Sequence, residues 1–481
     1  MPRKKFIRLA DRYRPIRYHD DYIALFDIAT NNEFHLDKEQ LQLIMQLDGT
    51  KSLSEILSGY DRSSRCHVRN FMKDLADSGL TEQTEEPRLR AFPKDWVEPY
   101  LEGLLLDVTS LCNLSCAHCY VSNFAAGKKG DDLSLDELLR VFDDLSAMNV
   151  RDVTVTGGEP LMRPDIRQII AGLVERSISV GSFFTNGLGV TEDFVDFLSA
   201  IPHPPRIYIS LDGLTPATNA LIRGSSHSPE QLFQGAIDAM RLFRSRGFRT
   251  VVNTCLHPHN LAEIPGMYEL LKSLDINQWR MAVPKPIGKF EEGQTTLKPD
   301  WPAVLDMYEK LLDLHLADVR LTKDGPKWPL LLELEMLFRS DMLNKPVKLY
   351  RPDEVACFYH RHRCSLKANG DVISCGYFEH KVAGNVRQKS FREIWLSPAM
   401  QEIKMMKISE VPDCQDCEVL EVCGTGCRAI AQILRGDDRA KDDYCCAVVP
   451  EFHKRILPAL LDKHKLVFEV TEANRYFSNE I

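Results

Sequence analysis

Between residues 103 and 285 the sequence alternates short apolar runs with amphipathic segments, and this alternation limits the fold more than any other feature. The runs have the composition of buried strands; they are GLLLDVT, DVTVTG, ISVGSFFT, RIYISLDG, FRTVVNTCL and INQWRMAV. Segments with helical periodicity separate the apolar runs. At the start of the first such segment, Ser134 and Glu137 have the spacing of a capping box. The pattern predicts an α/β fold with a parallel sheet, either an open doubly wound sheet or a partial barrel.

Three cysteines follow the first of these strands, at the spacing C-x3-C-x2-C: Cys112, Cys116 and Cys119. Functional groups of such folds collect at the C-terminal ends of the parallel strands, so a reactive site is expected here. A structural zinc site needs four protein ligands, whereas three thiols suit a 4Fe–4S cluster that keeps one iron open for another ligand. Zinc with His118 as fourth ligand is the alternative, although its place beside Cys119 gives poor loop geometry.

A second group of cysteines lies between about residues 350 and 446, where the sequence shows little periodicity. It comprises Cys357, Cys364, Cys375, Cys414, Cys417, Cys423, Cys427, Cys445 and Cys446. The chain shows no apolar signal core and no run of roughly 18 apolar residues, so it is expected to be cytoplasmic, where cysteines bind metal more often than they form disulfides. Zinc bound between Cys414 and Cys427 is the alternative to iron here. Cys66 and Cys255 are expected to be ordinary buried thiols.

The net charge of -9 gives the chain no overall basic field. Nucleic acids and anionic membrane surfaces attract basic proteins, so neither is an expected partner.

The cysteine loop and the strand before it resemble the radical S-adenosylmethionine (SAM) superfamily. Motifs at later strand ends extend the resemblance over about residues 103 to 285: TGGEP, which in the family holds the methionine amino group of SAM, then FFTNG, ISLDG and LIRG. The resemblance implies a six-unit partial (β/α) barrel. It also implies candidate SAM-binding residues, which are Gly157, Gly158, Glu159, Pro160, Thr185, Asn186, Ser210, Asp212 and Arg223.

In this family a 4Fe–4S cluster, here on Cys112, Cys116 and Cys119, binds SAM and cleaves it reductively to a 5′-deoxyadenosyl radical. The radical abstracts hydrogen from an unreactive C–H bond, and the protein supplies orientation and a dry site.

The later cysteines follow G-x4-C, then C-x2-C-x5-C-x3-C and a late cysteine, which resembles the SPASM extension with its two auxiliary 4Fe–4S clusters. The family pattern implies that Cys357, Cys364, Cys375 and Cys427 hold the first auxiliary cluster. It implies that the second is held by Cys414, Cys417, Cys423 and either Cys445 or Cys446. The resemblance therefore implies three clusters in all.

The N-terminal segment from YIALFD to MKDLADSGL resembles a PqqD-like winged-helix domain, also called a RiPP recognition element. Such a domain binds a leader peptide as an added strand. Winged helices also bind DNA, but no basic recognition helix is evident in this segment.

These resemblances predict an enzyme that installs a thioether or carbon–carbon crosslink in a precursor peptide or small protein with a leader segment, served by a reductant such as flavodoxin or ferredoxin. Gly376 follows Cys375 where sulfatase-maturing relatives carry an acidic base, so sulfatase maturation is not expected. One relative with this layout is the maturase of the quinohemoprotein amine dehydrogenase small subunit. The alternatives are a non-peptide substrate such as a tetrapyrrole, and a non-catalytic iron–sulfur or zinc regulator.

The expected domain organisation has five parts: a PqqD-like domain at 1–85, a linker at 86–102, the radical SAM barrel with a connecting segment at 103–345, the SPASM domain at 346–450 and a C-terminal tail at 451–481.

Overall fold

The computed structural model describes residues 4–19, 22–27, 32–90, 92, 99–120, 131–290, 297–322, 325–335, 337–340, 349–357 and 361–466. The expected boundary at residue 345, part of the expected linker and the last fifteen residues lie outside these ranges. Within them, no helix is long and apolar enough to cross a membrane.

The N-terminal part is a small unit of strands and three helices. Its strands β1 to β5 are Phe6–Leu9, Tyr13–His19, Tyr22–Asp27, Asn32–Leu36 and Thr81–Thr84, and its helices α1 to α3 are Lys38–Ile44, Leu53–Ser58 and Ser64–Asp77. Strands β2, β3 and β4 form an antiparallel sheet in chain order, and β1 pairs with β5. Asp37 and Ser52 start α1 and α2 with capping boxes. The predicted small unit is present, and its PqqD-like character stays a prediction.

The expectation for Cys66 was wrong, because this thiol is exposed on α3. The helix buries Val68, Met72 and Leu75, whose spacing defines one face, and Cys66 lies off that face.

The central part contains the predicted alternation of strands and helices. Strands β6 to β13 are Gly103–Asp107, Ser115–Cys116, Asp152–Thr156, Ser179–Thr185, Arg206–Ser210, Arg223–Gly224, Thr250–Cys255 and Gln278–Ala282. Helices α4 to α10 are Leu135–Ala147, Ile166–Glu175, Glu192–Ala200, Pro216–Ala220, Pro229–Ser245, Ile264–Ser273 and Trp301–Ala317. Side chains such as Leu138, Phe142 and Leu173 bury the helices against the sheet.

The order of the parallel strands distinguishes the two topologies that the sequence left open. Strands β6, β8, β9, β10, β12 and β13 are neighbours in chain order and all pair in parallel. A doubly wound sheet reverses its strand order at a switch point, and this one does not. The α/β fold with a central parallel sheet is confirmed, with the strand order of a barrel wall.

The strands after α10 continue the same sheet, except the first two, which pair with each other. Strands β14 to β20 are Arg320–Thr322, Gly325–Lys327, Leu331–Leu334, Phe338–Arg339, Arg363–Leu366, Asp371–Ile373 and Val382–Asn385. Helices α11 to α16 are Phe391–Trp395, Pro398–Lys404, Leu420–Cys423, Arg428–Arg435, Asp443–Glu451 and Leu457–His464. Strand β16 pairs in parallel with β13, and β18 pairs in parallel with β6. Among the described residues, eleven strands therefore form one sheet.

The segment expected to be a C-terminal tail is helical from residue 451 to 464. Phe452, Ile456 and Leu460 are buried in the main core. The described part of this segment therefore packs against the main core.

The lower end of the barrel, where the parallel strands begin, carries a buried charge network. Arg151 bonds Glu102 and, at 2.9 Å, Asp152, and Arg363 bonds the same two carboxylates at 2.7 and 3.1 Å. Burial alone would raise the pKa of Glu102, but Arg151 and Arg363 outweigh it and lower this pKa. Arg151 also pairs with Glu33 of β4 at 3.0 Å, so the network attaches the N-terminal unit to the barrel.

Candidate active site

The cysteine loop begins at the mouth of the barrel, where the parallel strands end, and the TGGEP turn holds its first residues. The backbone N–H of Gly158 donates to the carbonyl of Thr109, and the N–H of Glu159 donates to that of Leu111, both at 2.8 Å. A Cβ on Gly158 would lie 2.1 Å from the oxygen of Leu111, and Gly157 has a φ of +136°. The glycines therefore permit a close approach to the backbone immediately before Cys112.

The middle of the loop is held by the segment that contains Arg223. Strand β7 pairs with β11 so that Cys116 lies opposite Arg223. The Arg223 guanidinium forms a buried ion pair with Asp212 at 2.5 Å. Asp212 in turn accepts a hydrogen bond from the N–H of Cys255 at 2.7 Å. Two predicted SAM-binding residues, Arg223 and Asp212, are therefore in contact. The backbone of Arg223 also pairs with Cys116, a predicted cluster ligand.

Glu159 joins the loops that follow two neighbouring strands. Its carboxylate accepts hydrogen bonds from the Thr185 hydroxyl at 2.9 Å and the Asn186 N–H at 2.8 Å. The Asn186 amide donates to Asn113 of the cysteine loop at 2.7 Å. Burial raises the pKa of Glu159 to about 7. Glu159, Thr185 and Asn186 therefore form one connected group beside Cys112. Pro160 is buried and begins the short 3-10 turn after Glu159.

Ser210 lies at the end of β10, opposite Asn253 of β12. Asn253 belongs to none of the predicted motifs. The feature of the sequence that could have indicated it is its position in TVVNT, near a strand end.

His118 lies 4.0 Å from Asp212, and burial lowers the pKa of His118 to about 4. His118, the fourth ligand in the zinc alternative, therefore has a carboxylate neighbour in addition to the cysteines.

Several buried polar atoms at this mouth lack a hydrogen-bond partner within the described residues: Ser110 Oγ, His118 Nδ1, Arg223 Nε and Asn253 Oδ1. Burying such atoms without partners is costly, so a polar ligand between the strand ends would satisfy them. This set of donors and acceptors fits a small molecule with charged amino-acid groups, as SAM is.

The cysteines implied for the first auxiliary cluster are electrostatic neighbours. Burial raises the pKa of Cys375, and the thiolates of Cys427 and Cys357 add to it. Cys364 and Cys375 are buried on or near the strands that extend the barrel sheet, where Cys364 lies opposite Leu104. Three of the four cysteines, Cys357, Cys375 and Cys427, therefore interact electrostatically across distant parts of the chain.

The cysteines implied for the second auxiliary cluster also interact electrostatically, and the adjacent Cys445 and Cys446 differ in exposure. Burial raises the pKa of Cys414 to about 11, with contributions from Cys446, Cys423 and Cys417. Cys445 is buried and shares a hydrogen bond with Cys423, whereas Cys446 is exposed. Throughout the part of the chain that the structure describes, no three Cys, His, Asp or Glu side chains stand ready to ligate one metal ion.

Ion pairs near the strand ends were also missed from the sequence. Lys285 bonds Glu335 at 2.7 Å, and Lys367 bonds Asp107 at 2.7 Å and Glu379 at 3.0 Å. Among these five residues, only Asp107 could have been selected from the sequence, because it directly follows an apolar run. The other four lie outside the strand motifs.

Two family models match the chain. The radical SAM superfamily matches residues 106–271, and the SPASM iron-sulfur cluster-binding domain matches residues 357–418.

Individual proteins match over larger shares. The chain is 26% identical over 340 residues to the AdoMet-dependent heme synthase of Methanosarcina barkeri, covering 70% of this chain and 94% of that protein. It is 26% identical over 360 residues to the PqqA peptide cyclase of Methylorubrum extorquens, covering 74% and 87%. The structure of Streptococcus suis SuiB bound to precursor peptide SuiA has a TM-score of 0.64 at 14% identity, covering 92% of this chain and 99% of that chain, which shows a similar fold.

Proposed function

We propose that this chain, an enzyme with a radical SAM domain and a SPASM domain, crosslinks a peptide or small protein that carries a leader segment. The predicted domains of these two kinds are confirmed, and they imply SAM and iron–sulfur clusters as cofactors. That there are three clusters, and which residues hold them, is part of the proposal.

The observation that carries the proposal is the arrangement of the cysteine loop at the barrel mouth. Gly158 and Glu159 hold the loop before Cys112, and Arg223 pairs with Cys116. Cys112, Cys116 and Cys119 would hold the cluster that binds SAM, and reductive cleavage there would supply the radical that abstracts hydrogen. Arg223 is the residue proposed to bind the SAM carboxylate, because it is cationic and its Nε has no partner among the described residues. The connected Glu159 group orients the turn proposed to contact the SAM amino group.

For the auxiliary clusters we propose the cysteine sets implied by the SPASM resemblance. Cys446 is favoured over Cys445 as the fourth ligand of the second cluster. The support is that Cys446, Cys423 and Cys417 all contribute to the raised pKa of Cys414.

The peptide substrate is supported by β4, the last strand in the sheet order β2, β3, β4. An edge strand can accept a further strand from a peptide. Phe34 on β4 is 45% exposed and offers an apolar contact for such a strand. One relative named above is a peptide cyclase, and SuiB was solved with a precursor peptide.

A second candidate substrate class is a tetrapyrrole, favoured by the similarity to a heme synthase. A candidate precursor peptide, sought as a short Cys-rich reading frame beside this gene, and a porphyrin can be compared directly. Each is incubated with the anaerobically reconstituted full chain, SAM and a reductant. We expect the peptide to lose two hydrogens per crosslink in its mass spectrum and the porphyrin to be unchanged; a modified porphyrin beside an unchanged peptide contradicts the proposal.

A further inference from the structure

Lys404 is a lysine buried inside the cysteine-rich part. It ends helix α12 and its residue is 0% exposed. Its ammonium donates hydrogen bonds to the carbonyl of Arg363 and, at 3.2 Å, to that of Ser374. It also lies 4.9 Å from the ring centre of Trp395. Among the described residues, no carboxylate contributes to its electrostatic surroundings.

Among the described residues, the buried Lys285 and the half-buried Lys367 both have carboxylate partners. Lys285 pairs with Glu335, and Lys367 pairs with Asp107 and Glu379. A buried charge without a counter-charge is strongly unfavourable. Negative charge from another source would therefore stabilise the charged form of Lys404.

The groups that act electrostatically on Lys404 are Cys364, Cys375 and Cys357, which would carry negative charge as thiolate ligands of a cluster. The two carbonyls that its ammonium holds belong to Arg363 and Ser374, the residues directly before Cys364 and Cys375. Lys404 thus faces three of the four cysteines proposed for the first auxiliary cluster. A 4Fe–4S cluster with four thiolate ligands carries net negative charge, and its potential depends on nearby charge and hydrogen bonds.

We propose that Lys404 is the counter-charge of the first auxiliary cluster and that it raises the reduction potential of this cluster. Reduction adds one negative charge, and a fixed cation in a poorly solvated interior stabilises the more negative state. Lys404 is a positioning residue in this account, because its ammonium also holds the backbone beside two ligands. The inference rests on the cluster set of the proposed function.

The test is an EPR-monitored redox titration of the anaerobically reconstituted full chain. In Lys404→Met the reduction equilibrium of one cluster should shift at least tenfold toward the oxidised form, about 59 mV to lower potential for one electron. Lys407→Met is the matched control, since it removes the same charge from an exposed residue three positions on. It should shift nothing. Equal potentials in the Lys404→Met and unchanged chains overturn the proposal.

Two further variants cover the other outcomes. If Lys404→Met loses the cluster, Lys404→Arg decides: a cluster retained with the charge supports the proposal, and loss in both variants overturns it. Cys375→Ala identifies the signal of the first auxiliary cluster. If this variant keeps all iron and every signal, the proposed cluster set fails and the Lys404 proposal fails with it; an unmoved potential beside a confirmed cluster overturns the Lys404 proposal alone.

Discussion

The two ends of the barrel both bury arginine–carboxylate pairs, but they differ in what remains unsatisfied. In the charge network of the lower end, Arg151, Arg363, Glu102 and Asp152 have no buried side-chain polar atom without a hydrogen-bond partner, although Ser179 Oγ at the start of β9 has none among the described residues. At the mouth, the pair of Arg223 with Asp212 leaves Arg223 Nε without one among the described residues. A closed network serves stability, whereas polar atoms left over in a packed protein indicate a place for a ligand.

The largest effect is expected from Cys112→Ala, Cys116→Ala and Cys119→Ala together. The variant should lose all SAM cleavage and about four of about twelve irons, because one cluster of three loses its ligands. Iron analysis and measurement of 5′-deoxyadenosine check this. Cys66→Ala, at an exposed cysteine outside both groups, should change neither value. SAM cleavage that persists in the triple variant contradicts the assignment of the mouth as the active site.

Gly158→Ala should come next. The added Cβ would lie 2.1 Å from the Leu111 oxygen, so the backbone beside Cys112 must move. We expect most SAM cleavage and about four irons to be lost. Gly59→Ala is the control, because its Cβ would have 3.4 Å to its nearest neighbour. Full iron and full activity in Gly158→Ala would show that the turn does not hold the loop.

Arg151→Met tests the lower end. It leaves the buried Glu102 with fewer partners, so the free energy of unfolding should fall by about 3–5 kcal/mol. Urea unfolding measures this change, and the SAM affinity of the folded variant should match that of the unchanged chain. Arg167→Met removes an exposed ion pair with Asp193 and should cost about 0–1 kcal/mol. Equal losses in the two variants would remove the distinction between the ends.

The smallest effect is expected from Phe34→Ala on β4. Peptide modification at low peptide concentration should fall about tenfold, equivalent to ~1.4 kcal/mol of docking energy. SAM cleavage without peptide should stay the same. Leu321→Ala removes another exposed apolar side chain, 67% exposed on β14, and should affect neither. If both variants modify peptide at the original rate, β4 is not the docking edge.

The sequence predicted the parts of the molecule that local pattern encodes. Alternating runs predicted the parallel sheet, and the loop with Cys112 was selected from spacing alone. The pairing of β18 with β6 could not be predicted, because RCSL is a short strand whose partner lies about 260 residues earlier in the chain. The same holds for Lys404, whose significance depends on carbonyls of Arg363 and Ser374 that only the fold brings to it.

The most direct test follows hydrogen from substrate to cofactor. The candidate precursor peptide is produced with deuterium at its carbon positions and incubated with the reconstituted full chain, SAM and reductant. The account predicts one molecule of singly deuterated 5′-deoxyadenosine for each crosslink formed, together with a peptide that has lost one deuterium to the cofactor and one further hydrogen or deuterium per crosslink. Unlabelled 5′-deoxyadenosine beside a crosslinked peptide would contradict it, because the mouth of the barrel would then not be where hydrogen leaves the substrate.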